Sequence, residues 1–410
     1  MSKDVKFDIV VIGGGISGTM AAIASARQGS KTLLIDRYGA LGGMATSGLV
    51  QPITTWGIND SYVISGTGKK ILENMASKHD QAATAMSTYG PTCDAEYLKK
   101  ELEDIAIENG VSLLYHTWVR SVEMKSTDVI SHITAFSKNG DFNIYGKVFI
   151  DATADGDICA FAGVPFESSE DSEGQQAMTL MMIVSGIDQD RILDREKMQE
   201  IWDKHRVNSR QLTLFWHPRK GSTYVNMTSI SSLNGLDPTD LTKATIECRK
   251  QAWDILDVFR NYMPGFENAY IEQTAPTLGI RETRRIKGQY ILSADDILSG
   301  REFNDSIARA SCPIDIHPRN NEPAVYQVLK KSYSIPYRAL ITNEISNLIA
   351  TGRCISTDQE AHSSVRRMGP GFALGEAAGI AAALALENND VRNISINQLQ
   401  TILKSYNGII

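Results

Sequence analysis

The sequence predicts an α/β fold: a parallel sheet flanked by helices, interrupted by a second region of mixed character. Three observations predict it. The chain opens on an apolar strand, a glycine-rich turn and an Ala-rich helix within Phe7 to Asp36. It closes on another apolar strand and an Ala- and Gly-rich helix, Phe372 to Leu386. Between them, from about Pro165 to Ile335, β-like and helix-like runs mix without the strand–turn–helix rhythm of either end.

The opening unit is the most specific. Asp8-Ile9-Val10-Val11-Ile12 is short, apolar and β-branched, as a strand buried on both faces requires. Gly13-Gly14-Gly15-Ile16-Ser17-Gly18 places Gly at the three positions of a G-x-G-x-x-G turn. Thr19 to Arg27 favours helix, and Gly29 stops it. Lys31 to Ile35 is a second strand, ending on Asp36. This is a complete Rossmann-like βαβ unit for a dinucleotide. Gly13 permits the tight turn, Gly15 lets backbone approach a pyrophosphate, and Gly18 lets helix pack on strand. The helix N-terminus faces the phosphates, and Asp36 can accept from a ribose.

Further elements follow in order. The glycine-dense loop Arg37 to Gly48 sits at the carboxyl edge of the sheet, where it meets a ligand. Tyr62 to His79 has helical spacing and reads as packing. Asp94 caps a helix from about Ala95 to Asn109, with Gly110 as its stop. Val111 to Tyr115 and Val119 to Met124 are strands, and Ile130 to Ile144 alternates as a hairpin turning at Lys138 to Asp141. Lys147 to Ala152 is another buried strand, leading through Thr153-Ala154-Asp155-Gly156-Asp157 into a helix that stops at Gly163. In the middle region, strands are expected at Met178 to Val184, Thr223 to Ile230 and Arg284 to Leu292, and helices at Arg191 to His205 and Pro238 to Tyr262. Ser293 to Asp296 is a capping box for a short helix ending at Gly300. Ser346 to Thr351 is a last buried strand before Gly352-Arg353, and Gly375 and Gly379 let the final helix approach the sheet closely.

At 410 residues there is room for two domains, or one large nucleotide domain carrying an insertion. The net charge of −7 gives nucleic acid no basic footprint. Cys93, Cys159, Cys248, Cys312 and Cys354 form no C-x-x-C pair and no metal-ligand spacing, so no metal is expected. Their scatter suits a reducing compartment, and the chain is expected to be cytoplasmic. The first strand begins within a few residues of Met1, so no signal peptide is expected. No apolar run reaches the roughly 20 residues of a spanning helix.

The βαβ unit alone does not separate NAD from FAD. Together with Ile150 to Asp157 and the return from Gly352-Arg353 to Gly379, it resembles the FAD-dependent oxidoreductases of the glutathione-reductase and succinate-dehydrogenase structural class. Leu278-Gly279-Ile280-Arg281-Glu282-Thr283-Arg284-Arg285 and Ser363-Ser364-Val365-Arg366-Arg367-Met368-Gly369 narrow the resemblance to the bacterial FAD-dependent oxidoreductase family. It spans nearly the whole chain. It implies a Rossmann-like FAD-binding domain of the glutathione reductase type, in two parts at 1–165 and 336–410, with an inserted α+β cap or substrate domain at 166–335.

The resemblance also implies roles. Gly13, Gly15 and Gly18 would hold the pyrophosphate, with Ile16 and Ser17 beside them. Asp36, followed by Arg37, would hold the adenosine ribose; many members carry Glu there, so the shorter side chain leaves room for a water bridge. The loop Leu41 to Thr46, with Gly42, Gly43, Met44, Ala45 and Thr46, would run beside pyrophosphate, ribityl and flavin. The backbone of Val119 would meet the adenine and Asp157 the ribityl and phosphate end, and Ala152 would also touch the cofactor. Gly352 and Arg353 belong to the same cofactor set. Gly371 and Phe372 would open a helix aimed at the pyrimidine edge of the flavin. Arg366 is either the cation for that edge or a surface or phosphate-facing arginine. The loop Gly42 to Pro52 has no histidine, so the FAD is expected to be non-covalent.

The activity implied is hydride transfer between a small organic substrate and flavin N5, with an unknown electron donor or acceptor. The accompanying proton needs an acid or base; His317 and His362 are candidates, although a lone histidine is as readily structural. On a regular strand Arg281 and Arg285 would face one way and Arg284 the other. The three form either an internally paired cluster or an anchor, with Arg281 or Arg284 holding a substrate oxygen. Three other readings compete. A hydratase or isomerase could keep FAD without redox chemistry. A tRNA-modifying or assembly flavoprotein would want a basic surface. A plain NAD dehydrogenase would leave the Gly-Asp segment and the C-terminal return without a role.

Overall fold

Short strands rich in Ile, Val and Leu, buried on both faces, build the centre of the molecule. The structure is a computed structural model and describes residues 4–168, 175–317 and 324–410. A five-stranded parallel sheet runs in the order Leu348–Ala350, Val148–Asp151, Ile9–Ile12, Thr32–Ile35, Ser112–Leu114. Helix α1 (Ile16–Arg27) makes the first crossover. Helix α2 (Thr67–Lys78) packs nearby, and α3 (Ala95–Glu108) leads into the edge strand. The Asp94 carboxylate caps α3, accepting from the Glu96 and Tyr97 N–H groups at 2.8 and 3.2 Å. A second sheet, ordered Asp4–Lys6, Gly140–Tyr145, Val129–Ser137, Trp118–Ser126, helps cover the opposite face together with α4 (Asp157–Phe161).

The middle of the chain has its own sheet and its own core. Leu214–Trp216, Ser222–Val225, Met182–Ser185 and Tyr270–Thr274 pair antiparallel in that order. Helices α5 (Arg195–His205) and α6 (Pro238–Tyr262) close over Trp202, Phe259 and Phe266. This region ends earlier than residue 335. Helix α7 (Ala294–Ser299), with the capping box at Ser293, and the strands Ser306–Ala310 and Tyr333–Pro336 belong to the first core through Ile297, Ile307 and Ile335. The strand Ser306–Ala310 packs on the helix Met368–Ala385 and pairs with Tyr333–Pro336, so the sequence boundary at 335 cuts through one packed unit.

Several elements differ from the sequence pattern. Helix α2 starts at Thr67 rather than Tyr62, because Ser61–Tyr62 pairs with Gly57–Ile58 and Gly66 sits at φ +87°. The expected strand from Arg284 to Leu292 shrinks to Arg284–Ile286. After α8 (Gln359–Val365), helix α9 (Met368–Ala385) begins before Pro370, which fits the first turn because it needs no N–H partner there. Gly375 and Gly379 admit helix α1, not the sheet: a Cβ at either would lie 2.1 and 2.2 Å from the Ser17 and Ala21 carbonyl oxygens. Helix α9, 18 residues long, is apolar enough to match a membrane span by length and composition alone. Most of it (78%) is buried within the protein, against α1 and the helix α10 (Ile396–Ser405).

Candidate active site

A cleft of about 360 Å³ runs along the carboxyl edge of the parallel sheet and on between the two cores. Its near wall is made by the residues that follow each central strand. Gly13 follows Ile9–Ile12, Asp36 and Arg37 follow Thr32–Ile35, and Ala152 and Thr153 follow Val148–Asp151. Thr117, Trp118 and Val119 line one end; Thr179, Asn226, Arg281, Asp315, His317, Arg366 and Arg367 line the other.

The near wall is mostly backbone. Gly13 is at φ +106°, and a Cβ there would sit 2.2 Å from the Ala152 carbonyl oxygen. A Cβ on Gly15 would meet nothing within 4 Å; it would project into the open cradle instead. Gly15 caps α1 with no side-chain hydrogen bond, and the first turn of α1 holds no acidic residue. Its leading N–H groups therefore have neither a capping acceptor nor a competing anion, which suits a phosphate. Gly18 lies behind the cradle, with the Gly13 carbonyl where its Cβ would be. Ile16 and Ser17 line the cleft, as do Gly42, Gly43 and Met44. Gly42 N–H bonds the Gly14 carbonyl at 2.8 Å, tying the second glycine loop to the first. These features form a pocket that a dinucleotide pyrophosphate fits.

Asp36 lines the cleft, but both its oxygens also hold backbone. One accepts from Gly14 N–H and the other from Tyr38 N–H at 2.6 Å. Burial pushes its pKa up against those two bonds. The Arg37 guanidinium lies 4.9 and 5.2 Å from the Tyr38 and Trp118 ring centroids, and Trp118 lines the cleft beside the expected Val119.

Other expected residues lie outside the cleft. Ala45 is fully buried behind the loop, and the Thr46 hydroxyl donates to the Leu41 carbonyl at 2.6 Å. Phe372 points into the core, its ring 5.3 Å from that of Trp56, because α9 starts at Met368; Gly371 lines the cleft in its stead. Arg284 does not line it either. Its guanidinium donates to Asp157 Oδ1 at 2.9 Å and to the Asp155 carbonyl at 3.1 Å. Arg285 is buried against Glu167 and the Thr357 carbonyl. The internally paired reading therefore holds for these two arginines, and only Arg281 reaches the cleft.

Asp157 lines the cleft beside this pair. Burial and the charges of Asp151 and Asp155 push its carboxyl up to about 6, against the pull of Arg284. Arg353 braces the same loop: it donates to the Ala154 carbonyl at 3.0 Å and to Asp155 and the Ile280 carbonyl. Gly352 beside it lines the cleft.

The far end is built from side chains. Asp315 accepts from Arg367 at 2.5 Å, and its backbone carbonyl accepts from Arg366 at 3.0 Å. Burial opposes ionisation of Asp315, yet the His317 hydrogen bond and the Arg367 charge hold it well below the usual carboxylate range. His317 bridges two partners. Its Nδ1 is 2.8 Å from Arg210 Nη1 and its Nε2 is 3.2 Å from Asp315 Oδ1. A guanidinium only donates, so Nδ1 accepts and Nε2 carries the proton. Burial and the Arg281 charge push His317 down to about 3, so the ring is neutral at pH 7. Both nitrogens are committed, which leaves His317 no free atom for a substrate proton. His362 is sealed in the core, 3.8 Å from Glu282 and away from the cleft, and burial with the Arg285 charge keeps it neutral too.

Among the charged groups of this end, Asp315, Arg367 and Arg210 are the ones that reading the sequence missed. Asp315 and Arg367 stand inside stretches already singled out, Cys312 to His317 and Ser363 to Gly369. There the histidine and the neighbouring Arg366 drew the inference. Arg210 stands in no motif; only the fold brings it to His317.

Comparison with known proteins matches residues 8–403 to the model of a family described as FAD dependent oxidoreductase. The chain belongs to that family. It is an enzyme, an FAD-dependent oxidoreductase, and a redox flavoenzyme rather than a plain NAD dehydrogenase. Among solved structures it is similar to a geranylgeranyl bacteriochlorophyll reductase-like protein from Thermoplasma acidophilum, at TM-score 0.53 and 14% identity, covering 98% of this chain and 84% of that one. A flavoprotein/dehydrogenase from Cytophaga hutchinsonii matches at TM-score 0.50 and 12% identity, again over 98% and 84%. At such identities the likeness is one of fold, an α/β FAD-binding fold. A curated relative, the tRNA uridine 5-carboxymethylaminomethyl modification enzyme of a Nitratiruptor species, is 40% identical over 84 residues. Those residues are 18% of this chain and 13% of that protein, so the chain covers only a small part of that relative's length.

Proposed function

We propose that the protein transfers a hydride between a small organic substrate and N5 of non-covalently held FAD, with the cofactor along the near wall and the substrate at the arginine-lined end. The Gly15 cradle at the α1 N-terminus carries this reading, because it is an anion site built from backbone with room where a side chain would otherwise stand. Gly13, Ile16 and Ser17 would hold the pyrophosphate, with Gly42, Gly43 and Met44 across from them. Asp36 would accept from the adenosine ribose while keeping its two backbone bonds, and Val119 would meet the adenine. Ala152, Asp157, Gly352 and Arg353 would hold the ribityl end, and Gly371 with Arg366 the flavin edge. Gly18 acts through packing. FAD supplies the two-electron chemistry when bound.

The chain's own residues do the rest. The sheet of the middle region closes the cleft from the far side, keeping water from the reacting atoms; it acts as a cap of the kind a glutathione-reductase-type fold carries. Arg281 and Arg366 orient the substrate as charged donors. His317 holds its Nε2 proton on Asp315 and its Nδ1 against Arg210, which fixes the carboxylate and both flanking guanidiniums. The five cysteines are all buried and free, which supports a reducing compartment such as the cytoplasm.

The test is the visible spectrum of purified protein. A yellow protein that releases FAD on acid treatment, and whose flavin bleaches anaerobically with a substrate, is expected. Colourless protein overturns the cofactor placement, and flavin retained by denatured chain overturns non-covalent binding.

A further inference from the structure

We propose, on the hydride-transfer reading above, that the substrate is a small organic anion, bound by a carboxylate or phosphate oxyanion against Arg281 in the arginine-lined end of the cleft. Four guanidiniums converge there: Arg210, Arg281, Arg366 and Arg367. Among the described residues, Asp315 is the carboxylate within ion-pair distance of them, and the Glu282 charge acts on Arg366 from farther off. Asp315 is taken up by Arg367 at 2.5 Å and His317 at 3.2 Å. Glu282 accepts from the Gln176 backbone and amide at 3.1 and 3.0 Å and from Gln359 at 3.1 Å. Positive charge is left over in a place largely closed to water.

Arg281 is the member with donors to spare. It is only 9% exposed, yet it lines the cleft. Its one hydrogen bond among the described residues goes to the Ala177 carbonyl, leaving most of the five guanidinium donors for a ligand. Burial first, then the charges of Arg210 and Arg366, disfavour its ionised form, as a missing counter-ion requires. The Nε atoms of Arg210, Arg366 and Arg367 are also sealed from water and have no acceptor among the described residues. Buried like charges and unpaired donors are costly unless an anion completes the set. A guanidinium fork matches the two oxygens of a carboxylate or phosphate.

The cofactor pyrophosphate does not answer this need. Arg281 and Arg210 are held by the middle region, through Ala177 and through the Asn226 carbonyl at 3.4 Å, whereas the phosphate cradle, Gly13 to Ser17, is held by the parallel sheet and the start of α1.

Calorimetric titration of the protein as purified, with its FAD content measured in the same samples, tests this. The probes are acetate, succinate, benzoate and phenyl phosphate, each beside its neutral partner: acetamide, succinamide, benzamide and phenol. At least one acid is expected to bind at least about tenfold more tightly than its partner. Arg281→Gln should remove that preference while FAD stays at the parental ratio, and Arg281→Lys should keep part of it. The preferred arm tells carboxylate from phosphate. No acid preference in the parent, or a preference unchanged in both variants, overturns the proposal. So does FAD lost in both variants, since Arg281 would then serve the cofactor. FAD missing from the parent defeats the cofactor reading alone, because the acid titration reads the arginines directly.

Discussion

The two ends of the cleft are built by opposite means. The near wall is backbone from contiguous chain: a glycine turn, a helix start and a loop fastened by Gly42 N–H to the Gly14 carbonyl. The far end is side chains from four separate places, with Arg210, Arg281, Asp315 and Arg366 brought together only by the fold. A backbone site depends on which residues have no side chain, and a side-chain site depends on who pairs with whom. The first tolerates change in what surrounds it but not at its glycines. The second tolerates no change in its charge balance.

Two glycines separated by one residue should break the near wall in different ways. Gly13→Ala places a Cβ 2.2 Å from the Ala152 carbonyl oxygen at φ +106°, so little or no folded protein is expected. Gly15→Val places its side chain in open space. The chain should fold, with an apo-protein melting temperature close to the parent's, and purify without flavin, its FAD affinity down by more than about a hundredfold. Melting curves with flavin content decide it. Flavin retained in Gly15→Val would put the pyrophosphate elsewhere.

The same contrast explains what the sequence made legible. The cradle was readable because its constraint is local: residues Ile9 to Asp36 specify strand, turn, helix and strand by composition alone. The capping box at Ser293 and helix α6 with Pro238 in its first turn were readable for the same reason. Phe372 was misplaced because the Met368 start of α9 rotates it into the core, and helix starts are poorly marked where no Ser, Thr, Asp or Asn caps them; here Arg367 stands at the cap. Arg284 was misplaced because its partner, Asp157, lies far off in sequence. His317 looked like an acid or base until its two nitrogens were seen to be taken. Residue type suggests a capability, but only the partners say whether it is free.

At the far end, removing the central charge is the sharpest test. Asp315→Asn keeps the shape but leaves the four guanidiniums with one carboxylate fewer. Breaking a buried pair in this way costs about 3–5 kcal/mol, somewhat less here because the Asp315 side chain is 14% exposed. Denaturant unfolding should show the loss, and FAD binding by the folded fraction should be near parental. A loss below about 1 kcal/mol would mean that the arginines are not held by this carboxylate.

The smallest effect is in pH dependence, and there the two ends should have opposite signs. His317 titrates at about 3 in the folded protein against an ordinary 6.5. The unfolded chain therefore binds the extra proton between those values, and stability falls as pH drops from 6.5 to 3. Asp157 is the reverse, at about 6 against an ordinary 3.8, so the folded state holds the proton more tightly and stability falls as pH rises from 3.8 to 6. The His317→Gln variant should lose melting temperature less steeply than the parent on acidification through that upper window. Asp157→Asn, measured on apo-protein, should gain relative to the parent as pH rises to 7. The Asp157 side chain is 35% exposed, so solvent screening shrinks its effect, and roughly 2–4 °C is a fair ceiling for a chain this long. Melting temperatures of both variants and the parent from pH 4 to 7 give two difference curves. If the two slope the same way, the far end is not the dry site its geometry describes, because burial, reinforced by the Arg281 charge, drives His317 down, whereas burial, reinforced by Asp151 and Asp155, drives Asp157 up.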